Sequence, residues 1–309
     1  MKELYLPSCD GVNRLHVIVW EPEGKARAVV QISHGMIEYV RRYAEFAEYL
    51  NKHGFVVLGN DHLGHGLTAA DEQNLGYFCE KNMSASVVHD LHSVTAYAKK
   101  QYPGLPLFLF GHSMGSFLAR RYMMNFGYEL TGAIICGTGG QPAAVLAGGR
   151  VLAELIRLVR GDRHRSKLLQ KAAFQSYNAR IKDAKTSNDW LSRREENVER
   201  YNKDKYCTYR FTVNGYRGLF STIAYIQRKS NIAKLPKELP VFLIEGEEDP
   251  VGAYGKGVLA VSESYKKQGL TDVECKLYPQ DRHEILNEED REVVFEDVRN
   301  WLEKHLPQK

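Results

Sequence analysis

A serine, an aspartate and a histidine occur in the order Ser113, Asp249, His283, each shortly after an apolar run. Together these three side chains can turn an alcohol into a nucleophile. A neutral hydroxyl attacks poorly, an imidazole within reach can take its proton, and a carboxylate holds the imidazole in one tautomer. Ser113 lies in Gly111-His112-Ser113-Met114-Gly115, directly after Leu105-Pro106-Leu107-Phe108-Leu109-Phe110 and before a helix-like stretch from Ser116 to Phe126. Glycines on either side permit a strand to turn sharply into a helix, lifting the hydroxyl above a sheet edge. The first helical N–H groups then face whatever binds there. Asp249 lies in Glu245-Gly246-Glu247-Glu248-Asp249-Pro250, beyond the strand-like Val241 to Ile244, and His283 follows a strand-like run ending at Tyr278. Glu247 and Glu248 are rival carboxylates in the same loop. Of the eleven histidines, His16 falls in a strand, His53 at a helix end, His89 and His92 on one helix, and His305 near the chain end. These positions suit structural roles.

Acyl chemistry also needs two N–H donors for the oxyanion. The residue after the nucleophile, Met114, supplies one. The loop Ser33-His34-Gly35-Met36 follows the strand-like Ala28 to Ile32, and a tight turn at Gly35 makes the Met36 N–H the second.

The remaining elements form a frame for these loops. Leu4–Pro7 and Arg14–Trp20 alternate in polarity around the turn Asp10-Gly11-Val12-Asn13 and predict a hairpin. Phe55–Leu58, Gly132–Cys136 and Pro240–Ile244 predict apolar strands, and Val273–Tyr278 is the last strand. Tyr39–His53, Ser86–Tyr102, Gly257–Gln268 and Asp290–His305 predict helices. Strand alternating with helix implies a mostly parallel, doubly wound α/β sheet covered on both faces. The rhythm breaks after Thr138-Gly139-Gly140, and the chain is helical and basic until about Tyr225. The expected organisation is a core of residues 1–138 and 226–309 with a helical cap inserted at 139–225.

At 309 residues, 43% hydrophobic and 26% charged, the composition is that of an ordinary globular protein. No secretory signal and no apolar run of the ~20 residues a membrane span needs is visible. Five scattered cysteines, odd in number and without metal spacing, suit reduced thiols. A cytoplasmic location is expected, with peripheral membrane contact through the cap. The net charge of +4 is unevenly placed: residues 141–210 hold sixteen Lys or Arg against eight Asp or Glu. That segment suits an anionic surface, or simply a solvated face.

The set His34-Gly35-Met36, Asp61-His62-Leu63-Gly64-His65-Gly66, Gly111-His112-Ser113-Met114-Gly115, Asp249-Pro250-Val251 and His283-Glu284 resembles the monoacylglycerol lipase and bacterial lysophospholipase branch of the α/β-hydrolases. The likeness covers nearly the whole chain, in the same order. It implies Ser113 as nucleophile, Asp249 and His283 as its partners, Met36 and Met114 as oxyanion donors, and Asp61–Gly66 as a structural loop near the site. The chain departs from the family pattern at Ser116, where a further glycine is common, and in the insertion, which shapes the acyl pocket.

Within the insertion, Leu152, Leu155, Ile156 and Val159 fall on one helical face, opposite Glu154, Arg157 and Arg160. That face either packs into the cap's core or meets lipid, with Arg163, Arg165, Lys167 and Lys171 favouring an anionic surface. Tyr201, Tyr206, Tyr209, Phe211 and Tyr216 line an acyl groove or pack the cap's base.

The expected activity is hydrolysis of monoacylglycerol- or lysophospholipid-like esters through an acyl-enzyme on Ser113. A small-peptide aminopeptidase or amidase would use the same triad, and a non-catalytic binding protein would share the fold. No metal or cofactor is expected. His62 and His65 lack the helix and glutamate of a zinc peptidase motif, and no glycine-rich loop with a lysine suits phosphate. No nucleic-acid module is present. Oligomeric state is not encoded in any of these features.

Overall fold

The structure, a computed structural model, describes residues 1–307. Eight strands form one sheet: β1 Lys2–Pro7, β2 Arg14–Trp20, β3 Ala28–Ser33, β4 Phe55–Asn60, β5 Leu107–His112, β6 Gly132–Cys136, β7 Val241–Gly246 and β8 Val273–Tyr278. Their order is β1-β2-β4-β3-β5-β6-β7-β8. β1–β2 and β2–β4 pair antiparallel, and all later pairs are parallel. This is the α/β-hydrolase arrangement.

The helices are α1 Ala44–Lys52, α2 Met83–Gln101, α3 Met114–Phe126, α4 Ala143–Arg160, α5 Lys167–Phe174, α6 Glu195–Lys203, α7 Val213–Ile226, α8 Lys229–Ile232, α9 Lys256–Lys267 and α10 Arg291–Lys304. Alternation along β5 shows why both sheet faces need cover. Phe108 and Phe110 join the cluster beneath α1 and α10, with Phe46, Leu50, Val298 and Leu302. Leu109 points the other way, into the cluster of α2, α3, α7 and α9 with Val87, Leu118, Ile223 and Val261. A strand buried on both faces reads as a continuous apolar run, which is how β5 appears in sequence. The outer strands differ: β1 alternates exposed and half-buried residues, and β8 is half-exposed along most of its length.

Between β6 and β7 lie α4 to α8. Gln141 and Gln227 clasp where this segment leaves and rejoins the sheet: the Gln141 N–H donates to Gln227 Oε1 (2.7 Å), and Gln227 Nε2 donates to the Gln141 carbonyl (2.9 Å). Two details depart from expectation. α3 begins at Met114 and not at Ser116, and α4 begins at Ala143, well ahead of the Leu152–Val159 stretch whose apolar face the sequence marks. The apolar face of α4 is also split. Leu152 and Ile156 pack against the core, but Leu155 and Val159 are exposed, Val159 by 81%.

Candidate active site

The turn from β5 into α3 is as sharp as its glycines suggest. Ser113 sits at φ 54°, ψ −122°, a region that L-residues occupy only when their surroundings enforce it. A Cβ at position 115 would lie 1.9 Å from the Ser33 carbonyl oxygen, and one at position 111 would lie 2.5 Å from the Gly115 oxygen. The helix start is thus pressed against the end of β3, and only glycine fits there. The Ser113 N–H donates to the Cys136 carbonyl (3.0 Å), tying the elbow to β6. Ser113 itself is half-buried, so the hydroxyl stays reachable. Ser116, the departure from the family pattern, is buried, and its hydroxyl donates to the Ser113 carbonyl (2.6 Å).

Asp249 and His283 meet at the neighbouring strand ends. His283 Nδ1 lies 2.7 Å from Asp249 Oδ2, and Asp249 Oδ1 accepts from the Val251 N–H at 2.8 Å. Both side chains are buried. The rivals Glu247 and Glu248 are exposed, and Glu248 lies 4.0 Å from Arg180. With Nδ1 donating to the carboxylate, Nε2 is the ring atom that can accept a proton. Nε2 is buried and has no hydrogen-bond partner among the described residues. The Ser113 hydroxyl is not bonded to it; such contacts commonly tighten only with substrate present. His283 is held beside the elbow by its other contacts. Its ring centroid lies 4.6 Å from that of His112, and a Cβ on Gly137 would come within 3.0 Å of its Cε1.

The loop after β3 faces the elbow. A Cβ on Gly35 would approach Ser113 Cβ to 3.0 Å, so this backbone passes directly beside the hydroxyl. Among the described residues, neither the Met36 nor the Met114 N–H is taken up in a hydrogen bond. The turn is shaped by the buried Glu38, whose Oε1 accepts from the Gly35 N–H, from Tyr43 Oη (2.9 Å) and from His112 Nδ1 (3.1 Å).

Glu38 opens a charged network that the sequence did not announce. Its Oε2 accepts from Arg42 (3.0 Å), which is bidentate to Glu284 at 2.7 and 2.8 Å, and Asn197 donates to Glu284 at 2.7 Å. His112 Nε2 lies 3.2 Å from the His283 carbonyl oxygen. Both nitrogens of His112 therefore face acceptors, which a ring with a single N–H cannot satisfy. Burial alone would push His112 down, but the hydrogen bond to Glu38 and its charge outweigh it and hold the ring above its ordinary value. Burial likewise works against ionised Glu38 and Glu284, yet His112 and Arg42 keep both carboxyls below the usual range. Two cations and two anions thus form a closed set behind Ser113.

On the other side of the loop, His34, His62 and His65 are fully buried, with ring centroids 4.1 to 6.2 Å apart. His34 Nδ1 lies 2.8 Å from the Gly35 carbonyl, and its Nε2 accepts from the His62 N–H (2.9 Å). Burial and mutual repulsion push these rings down, His65 to about 3. Asp61 anchors the same region, accepting from the N–H groups of Val40 (2.9 Å) and Leu67 (2.8 Å) and lying 2.9 Å from His16 Nδ1. The loop Asp61–Gly66 is a scaffold for the turn after β3.

Aromatic residues before α7 pack against the part of the chain that precedes β5. Tyr201 Oη donates to the Ile37 carbonyl (2.9 Å), and Phe211 stands edge-on to Phe78. In the basic segment, Arg163 lies over the Tyr77 ring and Arg165 donates to the carbonyls of Glu72, Gln73 and Arg210, whereas Lys167 and Lys171 are exposed.

Known proteins resemble this chain along nearly its whole length. A crystal structure of a highly thermostable carboxyl esterase from Bacillus coagulans superposes with a TM-score of 0.92 at 33% identity, over 99% of both chains. The monoacylglycerol lipase of Mycolicibacterium smegmatis is 26% identical over 299 residues, 96% of each chain. The human monoglyceride lipase is 27% identical over 303 residues, 96% of this chain and 89% of that one. The family model described as "Serine aminopeptidase, S33" matches residues 24–290. With its sheet order, elbow and full-length likeness to these hydrolases, the chain belongs to the serine aminopeptidase S33 family of α/β-hydrolases.

Proposed function

We propose that the chain is a serine hydrolase of carboxylic esters, with monoacylglycerol- or lysophospholipid-like substrates, working through an acyl-enzyme on Ser113. The observation that carries the reading is the His283 ring: Nδ1 is fixed on Asp249 at 2.7 Å, and Nε2 is buried without a partner beside the strained elbow. His283 takes the hydroxyl proton as Ser113 attacks the ester carbonyl. The oxyanion receives the N–H groups of Met36 and Met114. The imidazolium returns the proton to the departing alcohol, and water activated by the same ring releases the acid. Removing one such donor typically costs about 2.7–4 kcal/mol in the transition state.

The aminopeptidase reading, which the family's name also carries, is less well supported. It needs an anion to hold a substrate amine, and the buried carboxylates Glu38 and Glu284 are already matched by His112 and Arg42. A fluorophosphonate probe tests the main claim. It should label the wild type and leave Ser113→Ala unlabelled; labelling that survives the substitution would remove Ser113 from the mechanism.

The exposed flank of α4 and α5 supports contact with a lipid surface. Val145, Val151, Leu155, Leu158, Val159 and Leu168 are exposed, with Arg150, Arg160, Lys167 and Lys171 beside them. Among the described residues no helix is long and apolar enough to cross a membrane, so the contact is peripheral. Vesicle co-sedimentation should rise with anionic lipid content, at about 1 kcal/mol per basic residue near the surface. Equal binding to neutral vesicles would remove the electrostatic part.

A further inference from the structure

One cap side chain touches the proposed base directly. Trp190 is buried, and its ring centroid lies 5.0 Å from that of His283 with the planes tilted by 40°. Tyr177 stands edge-on to Trp190 at 4.7 Å, and Phe174 stacks on it at 6.2 Å. The indole is thus backed by other rings and cannot yield without moving them.

The backbone beneath Trp190 is fastened to the histidine loop. The Glu284 N–H donates to the Leu191 carbonyl at 2.7 Å, and the His283 N–H to the Trp190 carbonyl at 3.4 Å. Arg282 Nη1 donates to the carbonyls of Asp189 (2.7 Å) and Ser192 (3.0 Å). The buried Glu288 accepts from the N–H groups of Arg193 (2.9 Å) and Arg282 (3.0 Å) and from Ser192 Oγ (3.1 Å). Residues 189–193 and 281–288 therefore form one polar-bonded unit, although they belong to different parts of the chain.

We propose that Trp190 is a positioning residue for the reaction: its indole walls the His283 imidazole, fixes the ring plane and keeps water from the Nδ1–H···Asp249 bond. This rests on His283 being the base. A base must present Nε2 first to the serine proton and then to the leaving oxygen, and a ring displaced by about 1 Å can lose about a hundredfold in rate. Trp190 packs on the imidazole and its carbonyl accepts from the His283 N–H, so its effect runs through the imidazole. It belongs in kcat and not in KM.

The test compares W190A, W190L and W190F with wild type in p-nitrophenyl ester hydrolysis and in the low-field proton NMR resonance of the His283 Nδ1–H. For W190A and W190L, kcat should fall about tenfold to a hundredfold, with KM within about threefold. The low-field resonance should broaden through exchange with water. W190F, which keeps an aromatic wall, should recover most of both. If W190A fails to fold, W190L against W190F carries the comparison at equal thermal stability. Turnover within about twofold of wild type, or a loss entirely in KM with a sharp resonance, would overturn the proposal. Fluorophosphonate labelling separates this from failure of the underlying mechanism. If His283→Ala labels as fast as wild type, the base assignment fails; if it does not and W190L turns over normally, only the role of Trp190 fails.

Discussion

Two groups of buried histidine meet at the loop from Ser33 to Glu38, and their titrations are shifted in opposite directions. His112, beside the elbow, lies between a carboxylate and a carbonyl, and Glu38 raises it above its ordinary value. His34, His62 and His65 lie among one another and near aromatic rings, and burial pushes them down. Residue type and depth are the same. What differs is whether an acceptor faces each nitrogen, and that decides whether burial or pairing wins. The charged side fixes the parts nearest the chemistry, and the neutral side fixes the turn that carries Met36.

The charged side should fail hardest. Arg42→Met leaves Glu38 and Glu284 buried without their shared cation, and we expect a loss of about 3–5 kcal/mol in urea unfolding. Adding Glu284→Gln should return part of that loss. A single substitution costing under ~1 kcal/mol would show that the four charges are not a unit.

The two sides should also separate by pH. For His65, a folded value of about 3 against an ordinary 6.5 means that the unfolded chain binds the extra proton. Stability from this group is lost as pH falls below about 6.5 and levels off near 3. For His112 the folded value is raised, so its contribution is full below the ordinary 6.5 and is lost as pH climbs through the folded value. Chemical denaturation from pH 4 to 9 should show His65→Phe flattening the acid limb, by up to about 3 kcal/mol between pH 6.5 and 4, and His112→Asn flattening the alkaline limb. Both variants changing the same limb would contradict the assignment.

Glu245 sharpens the comparison with the smallest effect. It is a carboxyl treated as the neutral histidines are: burial and the charge of Asp249 push it up to about 10. The folded chain therefore holds a proton there that the unfolded chain releases, and stability falls as pH rises from about 4.5 toward 10. Glu245→Gln should raise stability more at pH 8 than near pH 4.5, read from melting curves at the two pH values.

The contrast also bears on how much could be read from sequence. Ser113 and Asp249 stand out in the sequence because each follows a strand whose apolar run ends sharply, and His283 because it follows the last strand in the serine–acid–histidine order. Gly132–Cys136 and Val273–Tyr278 match their strands residue for residue. The start of α4 was hidden by Gly148 and Gly149, which blur the helical period. The split of its apolar face was hidden because period gives a face but not its neighbours. Glu38, Arg42, His112 and Trp190 gave no separate signal. Arg42 and Glu284 are 242 positions apart, and a polar residue destined for burial looks, in sequence, like a solvated one.

The two outer strands bear on behaviour in concentrated solution. An open sheet offers unpaired backbone groups at its first and last strands, where a second molecule could add and growth into fibrils could begin. Lys2 and Glu3 stand on one of these borders, and Glu274 and Lys276 on the other, in strands that would otherwise be apolar. Any chain that docks there must strip water from charge of both signs, so crowding favours dispersed molecules over ribbons.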